Sequence, residues 1–291
     1  MDRRDAARVT ARSPIALTIA GSDSGAGAGV QADLRTFAAL GVYGACAITA
    51  LTAQNTLGVR AVHAAPAEIV RAQIDAVLDD FDVAAIKIGM LANAEIVEAV
   101  ATGLPSPLAG EGRPFIVYDP VLAASSGDRL ADAGFVDAVR SRLLPLVDCL
   151  TPNLSEAAAL LDAAFARSEA EMVEQGRALL ALGPRAVLMK GGHLEGDVAA
   201  DLLVAAGGED RFAAPKIASP NTHGTGCTLS SAIAAFIVLG LPLREAAPAA
   251  KAFVSAAIER GAQARLGLGA GPLLQAPLLA SAMSGGQDRR R

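Results

Sequence analysis

Short apolar runs that end in glycine or a polar cluster alternate with longer segments whose apolar residues recur at helical spacing, and this alternation restricts the fold more than any other feature. Residues 15–20 form the first apolar run, a glycine loop follows, and residues 30–40 then carry apolar side chains on one helical face. The same pattern predicts strands over 45–51, 84–88, 115–118, 147–150 and 186–189, and helices over 67–81, 93–101, 132–144, 154–161, 169–182, 228–239 and 243–261. Such a series builds an α/β, doubly wound sandwich: a largely parallel central sheet with helices on both faces. Ligands of these sheets collect at the carboxyl ends of the strands, so polar residues just after strands carry functional weight.

A chain of 291 residues allows one large domain or two small ones. Without an internal repeat, residues 14–271 are expected to form one domain, after a disordered leader over 1–13 and before a flexible tail over 272–291. Residues 102–114, rich in Gly and Pro, read as a surface insertion. The net charge of −5 argues against nucleic-acid binding, which draws on clustered Lys and Arg. The longest apolar stretch, 232–243, is interrupted by Gly240 and Pro242 and falls short of the roughly 20 residues of a membrane span. Cys46, Cys149 and Cys227 have no metal-like spacing, and a reduced, cytoplasmic protein is the expectation.

Gly21-Ser22-Asp23-Ser24-Gly25-Ala26-Gly27-Ala28-Gly29 lies between the first strand and first helix, where glycine lets a ligand approach backbone. Gly27 to Ala32 fits a relaxed dinucleotide fingerprint, but Thr52-Ala53-Gln54-Asn55 lacks the carboxylate that would bind ribose; a plain tight turn is the other reading. Asp33 reads as a capping or dipole-complementing carboxylate, with a second role if a polar ligand sits beneath the loop. Asn221-Thr222-His223-Gly224-Thr225-Gly226-Cys227-Thr228 opens an apolar helix, so its amides and the helix dipole form an anion hole suited to phosphate. Cys227 at that helix start is expected to have a lowered pKa, the alternative being a small buried apolar residue. Asp119, Glu156 and Lys190 also fall near strand ends, and with the anion hole they make the inventory of phosphoryl transfer: carboxylates for Mg²⁺, a cation for phosphates, donors for developing charge. Glu156 equally fits a capping box with Asn153. His193 and His223 read as loop residues.

Taken together, Ala20-Gly21-Ser22-Asp23, Gln31-Ala32-Asp33, Lys87-Ile88-Gly89-Met90-Leu91, Asp119-Pro120-Val121, Ser126-Gly127-Asp128, Thr151-Pro152-Asn153, Met189-Lys190-Gly191-Gly192-His193 and the 221–228 motif closely resemble the hydroxymethylpyrimidine/phosphomethylpyrimidine kinases of the ribokinase-like superfamily. The resemblance runs in order from about residue 15 to 271. It implies a dimeric, Mg-ATP-dependent enzyme that phosphorylates the pyrimidine alcohol of thiamin synthesis and then its monophosphate. It also implies that Gly21, Asp33, Gln54 and Met90 contact the pyrimidine, that Asp119 and Glu156 support Mg²⁺, and that Lys190 and Thr225 meet ATP. Gly224, Thr225, Gly226 and Cys227 would form the catalytic anion hole, with Cys227 where most ribokinase-like enzymes place an aspartate. Relatives often carry glutamate at the position of Gln54. A pyridoxal or pyridoxine kinase of the same fold, an NAD(P)-dependent oxidoreductase and a non-catalytic pyrimidine-binding protein are the rival readings.

Overall fold

Successive side chains of a strand alternate between faces, and residues 85–88 show what this does here. Ile86 and Ile88 enter one apolar cluster while Ala85 enters another on the opposite side of the sheet. Leu17 and Ile19 likewise oppose Ala16, and Val187 and Met189 oppose Ala186 and Leu188. Each of these three strands is therefore buried on both faces, which requires a helical layer on each.

A computed structural model describes residues 13–105, 112–122 and 134–276. In chain order the elements are β1 (Ile15–Asp23), α1 (Gly29–Ala39), β2 (Tyr43–Asn55), β3 (Gly58–Ala64), α2 (Ala67–Leu78), β4 (Ala85–Ile88), α3 (Ala94–Gly103), β5 (Phe115–Tyr118), α4 (Phe135–Ala138, continued by a π turn and a 3₁₀ turn to Leu146), β6 (Cys149–Leu150), α5 (Leu154–Leu161), α6 (Glu169–Leu180), β7 (Ala186–Lys190), β8 (Val198–Ala205), β9 (Gly208–Pro215), α7 (Thr225–Val238) and α8 (Leu243–Gly261). The strands form one nine-stranded sheet in the order β3-β2-β1-β4-β5-β6-β7-β8-β9. From β2 to β7 every pairing is parallel, while β3, β8 and β9 add antiparallel edges. The expected doubly wound α/β sandwich is the observed architecture.

Because β1, β2, β4, β5, β6 and β7 run the same way, their carboxyl ends share one edge of the sheet. Asp23, Gln54, Met90, Asp119, Asn153 and Lys190 all lie at or just beyond those ends. The β1–β2 register shifts between Ala20 and Ser22, where β2 carries one extra residue, so that Thr49 and Ala50 face the single Gly21 at the same edge.

Three strands escape the sequence reading. β3 returns from β2 across Thr56-Leu57 and is mostly exposed, so it lacks an apolar run. β8 and β9 form a hairpin around Ala206-Gly207; Asp201 interrupts the apolar pattern of β8, and β9 alternates between exposed and half-buried positions. The boundary at residue 271 also moves. Leu273 is buried, the Leu274 amide donates to the Ala257 carbonyl and Gln275 Nε2 donates to Thr228 Oγ1, so residues 272–276 pack against α7 and α8. Residues 1–12 of the expected leader, 106–111 of the expected insertion, Ser126-Gly127-Asp128, the first two residues of the helix expected over 132–144, and 277–291 lie outside the described residues.

Candidate active site

A cavity of about 1370 Å³ opens along the carboxyl edge of the sheet. Its lining includes Gly21, Gln54, Met90, Asp119, Glu156, Lys190 and the 224–227 loop, so the structure gathers most of the sequence-selected residues around one space. Asp33 is the exception.

Lys87 lines the floor of the cavity, and Asp33 lies beneath it. Lys87 sits between Ile86 and Ile88 and must point away from them, toward α1 and α7. There its Nζ donates to both Asp33 oxygens, at 3.0 and 2.8 Å, with neither side chain exposed. Thr18 Oγ1 and Ser231 Oγ also donate to Asp33, at 2.6 and 2.7 Å. The expected pyrimidine contact and the capping role are both corrected: Asp33 is unexposed with four donor contacts on its oxygens, and it lies beyond the first turn of α1. Burial would lower the Lys87 pKa, but the Asp33 and Asp119 carboxylates outweigh it, and the ammonium is held charged. Above this pair Gly21 and Met90 meet; a Cβ on Gly21 would lie 3.1 Å from Met90 Sδ.

The glycine loop is organised by its own aspartate. Asp23 accepts from the amides of Gly25, Gly27 and Ala28 at 2.8, 3.0 and 2.9 Å, and His223 Nε2 lies 3.0 Å from its Oδ2. Burial alone would raise its pKa, but the His223 hydrogen bond and the Ala28 and Gly25 amides bring it below the usual carboxylate value. Amides that a pyrophosphate would need are thereby occupied, which removes the dinucleotide reading of Gly27 to Ala32. Gly224 then locks onto this loop: its φ is +84° and a Cβ there would stand 2.0 Å from the Gly27 carbonyl oxygen.

Across the cavity Lys190 Nζ lies 2.6 Å from Asp119 Oδ1 and 3.6 Å from Glu156 Oε2. Burial opposes the ammonium, but the two carboxylates raise its pKa. Glu156 Oε2 accepts from the Asn153 amide at 2.7 Å while Asn153 Oδ1 accepts from the Glu156 amide, so the capping box is present and also aims the carboxylate at Lys190. Burial pushes Glu156 up to about 7. The backbone that opens α7 faces this cluster, since a Cβ on Gly226 would lie 3.2 Å from both Asp119 Oδ2 and Lys190 Nζ. Thr225 Oγ1 and the Thr225 amide both turn back to the Thr222 carbonyl, at 2.6 and 3.3 Å, so the amides of Gly224, Gly226 and Cys227 are the donors this loop offers to a ligand. The lowered pKa expected at Cys227 is corrected: burial pushes the thiol up to about 11, and Lys87 and the Gly29 amide offset this only in part.

This geometry has counterparts among known proteins. The family described as phosphomethylpyrimidine kinase matches residues 23–274. The chain belongs to that family. It is 52% identical over 262 residues to the hydroxymethylpyrimidine/phosphomethylpyrimidine kinase of Rhizobium meliloti, covering 89% of this chain and 96% of the relative. The crystal structure of phosphomethylpyrimidine kinase from Clostridium difficile superposes with a TM-score of 0.72 at 39% identity, covering 84% of this chain and 99% of that one. The pyridoxal kinase from Staphylococcus aureus, in complex with AMP-PCP and pyridoxal, gives 0.79 at 31% identity, covering 90% and 93%. The ribokinase-like fold follows from these neighbours.

Within a phosphomethylpyrimidine kinase fold, Asp23, Lys87 and His223 are organising side chains at the cavity that received no role from the sequence. Asp23 had a usable signal, because an acidic residue at a strand end before a run of glycines is placed to accept from successive amides. Lys87 had another, since a lysine inside an otherwise apolar strand must find a partner when both faces are buried. His223 had none, as its partners lie 200 and 169 residues away in sequence.

Proposed function

We propose that the protein is a bifunctional, ATP-dependent kinase that phosphorylates 4-amino-5-hydroxymethyl-2-methylpyrimidine and then the resulting monophosphate, for thiamin biosynthesis. The observation that carries this is the placement of the α7 amides and the Asp119–Lys190–Glu156 cluster on one cavity, in a chain half identical to kinases of that name.

In this reading the pyrimidine lies over Gly21 and Met90 with Gln54 at its polar edge. Lys190 meets the ATP phosphates. The amides of Gly224, Gly226 and Cys227, at the positive end of α7, hold the oxygens on which charge develops as the alcohol oxygen bonds to the γ-phosphorus and the bond to the β-phosphate oxygen breaks. Asp119 and Glu156 suit Mg²⁺, which takes few protein carboxylates and completes its shell with water and phosphate; no group of three or more acidic, His or Cys side chains gathers among the described residues. When bound, the ion would neutralise phosphate charge, with Asp119 and Glu156 holding it directly or through water.

The Cys227 thiol is neutral near pH 7, so it orients the alcohol by hydrogen bonding, and the anion hole supplies most of the catalysis. The second transfer has a phosphate as nucleophile and needs no base of its own. No described helix is long and apolar enough to cross a membrane. A cytoplasmic homodimer completes the reading.

ADP release tests it. Purified protein with Mg-ATP is expected to produce ADP with the hydroxymethylpyrimidine and with its monophosphate. The likeness to a pyridoxal kinase structure supports a second reading, and ADP release with pyridoxal but not with the pyrimidine would establish that one instead.

A further inference from the structure

His223 stands between the glycine loop and the polar edge of the cavity. Its ring packs against Gly27, where a Cβ would lie 2.2 Å from Cδ2, so the ring has little freedom to swing. Its Nε2 lies 3.0 Å from Asp23 Oδ2 and 3.2 Å from the terminal amide of Gln54. The other amide atom of Gln54 lies 3.1 Å from Thr52 Oγ1, which is 3.1 Å from the Ser22 carbonyl.

Counting protons along this chain fixes its sense. An ionised carboxylate only accepts, so the hydrogen between Asp23 and the ring belongs to Nε2, whether the imidazole is neutral or charged. With its nitrogen toward the ring, Gln54 would oppose N–H to N–H. Turned by 180° about its terminal bond, the amide offers Oε1 to the Nε2 proton and an N–H to Thr52 Oγ1, whose own hydrogen goes to the Ser22 carbonyl. The single Nε2 proton is then shared between Asp23 Oδ2 and Gln54 Oε1, and no donor faces another donor.

We propose that His223 is a positioning residue that sets the hydrogen-bonding sense of Gln54, and so decides which edge of a flat heteroaromatic substrate the cavity accepts. The remaining Gln54 N–H and the second lone pair of Oε1 form a donor and acceptor side by side. A ring nitrogen next to an exocyclic amino group matches that pair, the ring nitrogen accepting from the N–H and the amino group donating to Oε1. The substrate half of the inference rests on the pyrimidine reading above, and the hydrogen-bond half does not.

Two measurements test it on the full chain. Long-range ¹⁵N–¹H NMR of the wild type resolves the tautomers of its three histidines, with H223Q identifying the signal. Nε2 of His223 is expected to be protonated throughout pH 7–8; an unprotonated Nε2 overturns the proposal, whatever the substrate proves to be. Steady-state kinetics then compares H223L, which lacks a donor, with H223Q, whose amide N–H can reach Asp23. H223L is expected to raise the pyrimidine KM about tenfold, the loss of one well-made hydrogen bond, with the ATP KM unchanged, and H223Q to recover most of the loss. Equal rises in both KM values, or an H223Q no better than H223L, would show a merely structural residue. If the wild type turns over no pyrimidine, the kinase reading fails while the NMR result still decides the network.

Discussion

Lys87 and Asp33, from the middle of β4 and from α1, form an ion pair with neither side chain exposed, 2.8 Å apart, at the floor of the cavity. Such a pair is costly to break from one side only, because the remaining charge is left without a partner. D33N is expected to lower stability by about 3–5 kcal/mol in urea unfolding. An apolar replacement of both partners, K87M with D33L, should recover part of that loss; equal losses in the single and double variants would show that the pair is not the origin.

Lys190 presents the cationic end of the cluster with Asp119 and Glu156. K190M is expected to reduce kcat by about 10²–10³-fold, the usual cost of deleting one preorganised donor to a developing charge. Its effect on the pyrimidine KM should be small. Unchanged turnover in K190M would place the phosphates elsewhere.

Cys227 is protonated at neutral pH because its thiol is pushed up to about 11. At pH 7.5 only roughly one thiol in several thousand is then ionised, so activity should show no rising limb through pH 8–9 of the kind an ordinary cysteine base would give. Iodoacetamide should label Cys227 slowly, and faster as pH rises toward 11. C227A is expected to lose more activity on the alcohol than on the monophosphate, since only the alcohol carries a proton to be guided.

Asp23 has a lowered pKa in the fold, so its contribution is present above the ordinary carboxylate pKa of 3.8 and is lost as pH falls below it. The folded state binds fewer protons than the unfolded chain in that window, and stability must fall on acidification. D23N should therefore lower the Tm at pH 7, with a deficit that shrinks as pH falls below 3.8. A D23N deficit that persists unchanged at pH 3 would contradict an ionised Asp23.

Gly224 is held at positive φ with no room for a side chain beside the Gly27 carbonyl. G224A must displace the anion-hole loop or the glycine loop, at a cost of about 1–3 kcal/mol. Circular dichroism should stay near wild type while turnover is largely lost. Full activity in G224A would mean that the two loops need not interlock.

Much of the site was legible locally. The capping box Asn153–Glu156, the helix-opening glycines at 224 and 226, and Asp119 and Lys190 at strand ends each depend on residues within a few positions of one another or on the strand-end rule. Asp33 was misplaced because its position on α1 says nothing about which strand residues face it. The Cys227 thiol was misjudged because a helix start favours the thiolate while burial opposes it, and burial is not a property of a motif.

The sequence by itself determined the layers, since an apolar alternation that repeats with periods of 2 and 3.6 can be buried only as strands covered by helices on both faces. It also determined that polar residues would gather at one sheet edge, because parallel strands put their carboxyl ends together. Tertiary structure alone decided that β3, β8 and β9 extend the sheet at its edges, where half-exposed strands leave a weak pattern. It alone paired Lys87 with Asp33 and brought His223 between Asp23 and Gln54, because contacts across 54 and 200 residues are set by how the layers pack, and periodicity carries no record of them.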